Sequence, residues 1–143
     1  MLGFFKKKEK AGKGYSGPAI DPQWVRNPRG KFHRLIHLDT TSEGLSGKSG
    51  VYVIWHSGVK PGWVYVGKAN DLASALDDAQ ENEDIIEYEI NGGLYVAWSP
   101  IVAEHQNGVL KFLHDTMKPK VSNPQAASIK DGPINVEVPK RKG

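Results

Sequence analysis

Two tyrosines, each set in a short run of β-branched and aromatic residues, are the groups in this chain best suited to chemistry. Tyr52 stands in Gly50-Val51-Tyr52 and Tyr65 in Tyr65-Val66-Gly67, with Lys68 directly after. A phenol held in a strand either packs and makes one hydrogen bond, or helps to move a proton. A lysine close by is a compact charge that attracts an anion. Other groups point less sharply. His33 and His37 fall on one face of an expected strand, but no third ligand accompanies them, and two histidines make no metal site. Gly47-Lys48-Ser49 resembles the end of a phosphate-binding loop. Ser42, however, stands where that loop needs its first glycine, and the following residues favour a strand rather than a helix.

The elements that would position these groups follow from pattern. Residues 51–55 and 63–66 are rich in Val, Ile, Trp and Tyr, which predicts two strands, and Gly58, Pro61 and Gly62 turn the chain between them into a hairpin. Asn70 or Asp71 caps a helix that runs to about Gln80, with Leu72, Ala75, Leu76 and Ala79 on one face. Residues 84–90 and 94–98 read as a third and a fourth strand around Asn91-Gly92-Gly93. Ser99-Pro100 then opens a helix to about Met117, with Val102, Gln106, Val109, Leu110, Leu113 and Met117 on its buried stripe, and Lys118-Pro119 ends it. Residues 31–38 alternate well enough for a further strand. The expected fold class is therefore α/β of the α+β kind: a small domain with a central antiparallel or mixed sheet of about three to five strands, flanked by helices. Flexible basic termini would frame it. The expected division is a basic arm over residues 1–20, an extension with one strand over 21–49, the domain over 50–122, and a basic tail over 123–143 with an edge strand at 134–138.

The order hairpin, helix, strand, strand, helix, closed by Lys118-Pro119-Lys120 and Asn123, resembles the GIY-YIG nucleases. Gly50-Val51-Tyr52 stands for the first motif and Tyr65-Val66-Gly67 for the second, and the run on to Leu72 follows the family's usual continuation. The resemblance covers about half of the chain, residues 50–122. It implies a metal-assisted hydrolysis of phosphodiesters. One tyrosine would help take a proton from the attacking water, an arginine on the first helix would steady the phosphate, and a glutamate on the second helix would hold a divalent ion such as Mg²⁺ or Mn²⁺. Fixed cations and a metal are what developing negative charge requires.

Both charged groups of that mechanism are missing. The position eight after Gly67, where the resemblance puts the arginine, is Ala75, and no arginine occurs between Arg34 and Arg141. Lys68 lacks the guanidinium's bidentate fork. The position eight before Lys118, where the glutamate belongs, is Leu110, and Glu104 lies nearly two helical turns earlier. Losing one such stabiliser costs on the order of 10²–10³ in rate. Tyr52, Tyr65, Gly67 and Lys68 thus read as vestiges of a site that holds no catalytic residue and no metal, with Mg²⁺ or Mn²⁺ relevant only to a divergent active enzyme.

Charge sharpens this expectation. The net charge of the 143 residues is +3, but it is divided unevenly. Residues 1–49 carry ten Lys or Arg against four Asp or Glu, residues 50–117 three against ten, and residues 118–143 six against two. An acidic core is the wrong sign for a polyanion, which binds to positive folded faces. Lys6, Lys7, Lys8 and Lys10 near one end, and Lys140, Arg141 and Lys142 at the other, supply the basic charge. Leu2, Phe4 and Phe5 ahead of the lysines could add a weak, reversible membrane contact. No run of roughly 18 to 20 apolar residues suggests a transmembrane segment, and the absence of cysteine leaves no disulfide framework. The expectation is a cytoplasmic protein, with peripheral membrane contact open to it. It would be a GIY-YIG-like domain that does not cut and serves as a binding or assembly module for a protein partner. Weak nucleic-acid binding through the tails and a divergent endonuclease are the alternatives.

Overall fold

The computed structural model describes residues 11–140. It is a mixed α+β fold, with a four-stranded antiparallel sheet and a two-stranded parallel sheet. In chain order the strands of the larger sheet are β2 (His33–Arg34), β3 (Gly50–His56), β4 (Gly62–Ala69) and β5 (Leu94–Pro100), arranged β2-β5-β3-β4. The smaller sheet pairs β1 (Tyr15–Ile20) with β6 (Ile134–Val136). Four helices accompany them: α1 (Leu72–Glu81), α2 (Glu83–Ile86), α3 (Ala103–Met117) and α4 (Pro124–Ala127).

The central hairpin forms as its composition predicts. β3 and β4 pair from Gly50↔Ala69 to His56↔Gly62, with a bulge between Ile54 and Trp55 that inserts Val64. Side chains on β3 alternate cleanly between faces. Tyr52 and Ile54 join Val64, Leu72, Leu76 and Ala79 on the α1 side. Val51, Val53, Trp55 and Val66 join Val109, Leu110 and Leu113 on the α3 side. A central sheet with a helix on each face is how a short chain covers both apolar surfaces. Asp71 caps α1, its Oδ1 accepting from the Ala73 N–H at 3.1 Å. The same oxygen accepts from the Gly47 N–H at 3.1 Å, tying the loop before β3 to the start of α1.

Several expected elements differ from those observed. Residues 84–90 are not a strand but α2 followed by a 3-10 turn over Glu87–Ile90. Asn82 caps α2 by accepting from the Asp84 N–H at 3.0 Å, and the sheet edge beside β5 is already taken by β2. The strand expected over residues 31–38 is only two residues long and passes into a 3-10 turn over Leu35–His37. Leu35 and Leu38 both enter the core at a spacing of three, and the Gln80 side-chain amide donates to both carbonyls at 2.8 Å. His33 and His37 therefore do not share a strand face. His33 packs on the Trp98 ring and lies 3.4 Å from Glu43, whereas His37 is exposed. Ser99-Pro100 does not open the second helix. Both residues extend β5, pairing with Val51 and Gly50, and α3 begins at Ala103.

The ends also differ from free arms. Residues 15–20, expected within the basic arm, form β1 and run parallel to β6, the strand expected at 134–138. Trp24 Nε1 donates to the Glu137 carbonyl at 2.8 Å, tying the two segments together again beyond the strands. Gly17 and Pro18 within β1 hide it from pattern reading, since neither supports a strand interior. Lys6, Lys7, Lys8, Lys10, Arg141 and Lys142 lie outside the described residues, and Lys140 is exposed. No helix among the described residues is long and apolar enough to cross a membrane.

Candidate functional site

The hairpin and the first helix bring Tyr52, Tyr65 and Ala75 together. Tyr52 stands on β3 opposite Gly67, and Tyr65 on β4 opposite Ile54, so the register places both phenols on the α1 face. Their ring centroids are 6.1 Å apart with planes tilted by 30°. Tyr52 is 6% exposed and Tyr65 only half-buried, and the Tyr52 hydroxyl donates to that of Tyr65. Gly67 makes this possible: a Cβ there would come within 2.5 Å of the Tyr52 ring, which lies directly across the glycine. The glycine of the second motif thus has a packing reason of its own.

The electrostatics of the pair run against phosphate chemistry. Burial pushes the Tyr52 phenol well above its ordinary value of 10.0, and the neighbouring Tyr65 and the Asp78 carboxylate push it further the same way. Burial also raises Tyr65, partly offset by the hydrogen bond it accepts from Tyr52. Both phenols keep their protons at neutral pH. A small cavity of about 230 Å³ opens beside them, walled by Ala75, Asp78, Ala79, Asn82 and Ile85. Its lining includes one carboxylate and no lysine or arginine.

The remaining positions named by the resemblance do not converge on this cavity. Lys68 stands opposite Val51, which belongs to the α3 side, so strand alternation turns it away from the tyrosines. Leu110 is fully buried on α3 against Val51, Val53 and Val66, on the face of the sheet opposite Tyr52. The side chains present at these positions do not fit a divalent ion, which requires oxygen ligands gathered at one point. Glu104 lines a different cavity, of about 640 Å³, between the β1–β6 ribbon and the first turn of α3. Among the described residues no group of three or more His, Asp or Glu is placed to hold a metal ion.

The closing run, too, has a structural account. After α3, Lys118 adopts a left-handed conformation at φ 49° and turns the chain back along β4. The Lys120 and Val121 N–H groups donate to the carbonyls of Trp63 and Val64 at 3.1 and 2.9 Å, covering the outer edge of β4. Asn123 is buried, donates to the Val66 carbonyl at 3.0 Å and caps α4 through the Gln125 N–H. Sequence reasoning missed Asp78 and Asn82 as walls of the tyrosine cavity. A signal for Asp78 exists in the sequence, since it lies one turn after Ala75 on the same helix. Comparison with protein-family models, with curated proteins and with solved structures returned no match.

Proposed function

We propose that this chain is a GIY-YIG-like domain that does not cut and serves as a protein-binding or assembly module, its basic ends adding contact with a polyanion or a membrane surface. One observation carries the reading. The Tyr52–Tyr65 pair faces Ala75 and Asp78, so the place where a phosphate would need a fixed cation offers a methyl group and a negative charge. A phosphodiester brought there meets repulsion and two phenols that hold their protons. The position corresponding to the metal-binding glutamate supports the same view, since Leu110 is core on the far face.

The test is a cleavage assay on duplex and branched DNA with Mg²⁺ and with Mn²⁺. No cutting above the buffer control is expected. Metal-dependent cutting that Tyr65→Phe abolishes would overturn the reading and restore a divergent endonuclease.

A further inference from the structure

We propose that the cavity over Ala75 receives an arginine side chain carried by a basic segment of a partner protein. The proposal rests on the reading of this domain as a binding module and adds the chemistry of the partner. Ala75, whose side chain is a single methyl group, lines an open cavity of about 230 Å³. Its walls are those a guanidinium uses. The half-buried Tyr65 offers a ring face for stacking and a hydroxyl oxygen with a second lone pair after it has accepted from Tyr52. Asp78 offers a carboxylate for a forked pair of hydrogen bonds.

The surroundings favour a basic occupant. Asp78 lines the cavity, the exposed Glu81, Glu83 and Asp84 follow it in the chain on α1 and α2, and among the described residues none of the four has an ion-pair partner. By contrast Glu89, further along, is already held by Arg34. Asp78 lies on the cavity wall beside Tyr52, and no lysine or arginine lines that wall with it. A partner's arginine would settle that charge, and neighbouring basic residues would meet the other three carboxylates. Lysine fits less well, because its ammonium neither stacks as a plane nor binds a carboxylate through two parallel bonds.

The experiment uses the full chain and two fluorescein-labelled probes, Gly-Ser-Arg-Ser-Gly-Arg-Ser-Gly and the same peptide with Lys for Arg, titrated by fluorescence anisotropy at low salt. The arginine probe is expected to bind about tenfold more tightly than the lysine probe. Asp78→Asn is expected to weaken the arginine probe about tenfold, and Ala75→Arg, which places the protein's own guanidinium in the cavity, to weaken it by a similar factor. Ala75→Leu serves as an uncharged filler should Ala75→Arg not fold, with circular dichroism reporting the fold of each variant. Spectroscopy gives a second readout: the phenol absorbance near 295 nm should titrate at lower pH when the arginine probe is bound. Equal binding of both probes, unchanged by the variants, would overturn the proposal in favour of a diffuse acidic surface, and absence of binding would also overturn it. Either failure without DNA cutting leaves the binding-module reading standing, whereas metal-dependent cutting removes that reading first.

Discussion

On the α3 side of the central sheet, Val51, Val53, Trp55 and Val66 meet Val109, Leu110, Leu113 and Met117 in an apolar layer closed to solvent. On the α1 side the same two strands present Tyr52 and Tyr65 to a helix that supplies Ala75 and Asp78, and a cavity opens there. The difference comes from period-two alternation on a shared backbone. Both faces hold the fold together, but only the α1 face also carries polar groups beside a cavity. A site that needed groups from both faces could not assemble, and the two positions bearing the expected arginine and glutamate fall on opposite faces.

The strongest way to break this comparison is to put a carboxylate on the wrong face. Leu110→Glu restores the residue type that a metal site would ask for. It removes a fully buried leucine, a loss of about 2–5 kcal/mol, and buries an unpaired charge at further cost. We expect no cooperative thermal transition, or a fall in Tm of at least about 10 °C by circular dichroism. Added Mn²⁺ should give no recovery. A stable variant that binds Mn²⁺ in a calorimetric titration would show that position 110 can reach the tyrosine face after all.

A second, smaller effect tests the other face. Gly67→Ala pushes a methyl group into the Tyr52 ring, which is boxed in by neighbouring core residues. Overpacking of this kind costs about 1–3 kcal/mol. Tyr52→Ala should make the alanine at position 67 nearly harmless, so the double variant should be less destabilised than the two single losses together by about 1 kcal/mol or more. Urea unfolding of all four proteins measures this. Additive losses would mean that the ring and the glycine are not coupled.

How much of this was legible beforehand divides along the same line. The hairpin, α1, β5 and α3 follow from strand composition, turn residues and helical spacing, and so does the assignment of Leu110 to a buried stripe. What failed was decided by a side-chain cap or by partners distant in the chain. Residues 84–90 have strand-like composition, but Asn82 caps a helix there and β2 occupies the sheet edge. Tyr15–Ile20 contains Gly17 and Pro18 and becomes a strand only because residues 134–136 lie beside it. Gly108 looks like a liability of about 1 kcal/mol inside a helix. Its reason is Ile134, which would lie 2.6 Å from any Cβ at that position. For the site, the residue types at 52, 65, 75 and 110 were readable, but the assignment of Lys68 and Leu110 to the far face needed the register.

The smallest expected effect concerns the tyrosine pair itself and changes sign with pH. At neutral pH Tyr52→Phe removes one hydrogen bond between phenols, so a loss of about 1 kcal/mol is expected. Both phenols are raised above their ordinary value of 10.0 in the folded protein, so the folded state holds its protons longer than the unfolded chain does. Stability from this source is fully present below pH 10 and is lost as the pH rises through the folded values. Each such group costs about 1.4 kcal/mol per pH unit within that window. Tyr52→Phe deletes one of the two, so its stability should fall less steeply above pH 10 than that of the wild type, and the two curves should converge or cross. Taking the difference between the proteins cancels the lysines and other tyrosines they share. Urea midpoints measured from pH 7 to pH 11.5 give the comparison directly, and parallel curves would mean that burial of Tyr52 on the α1 face does not hold its proton.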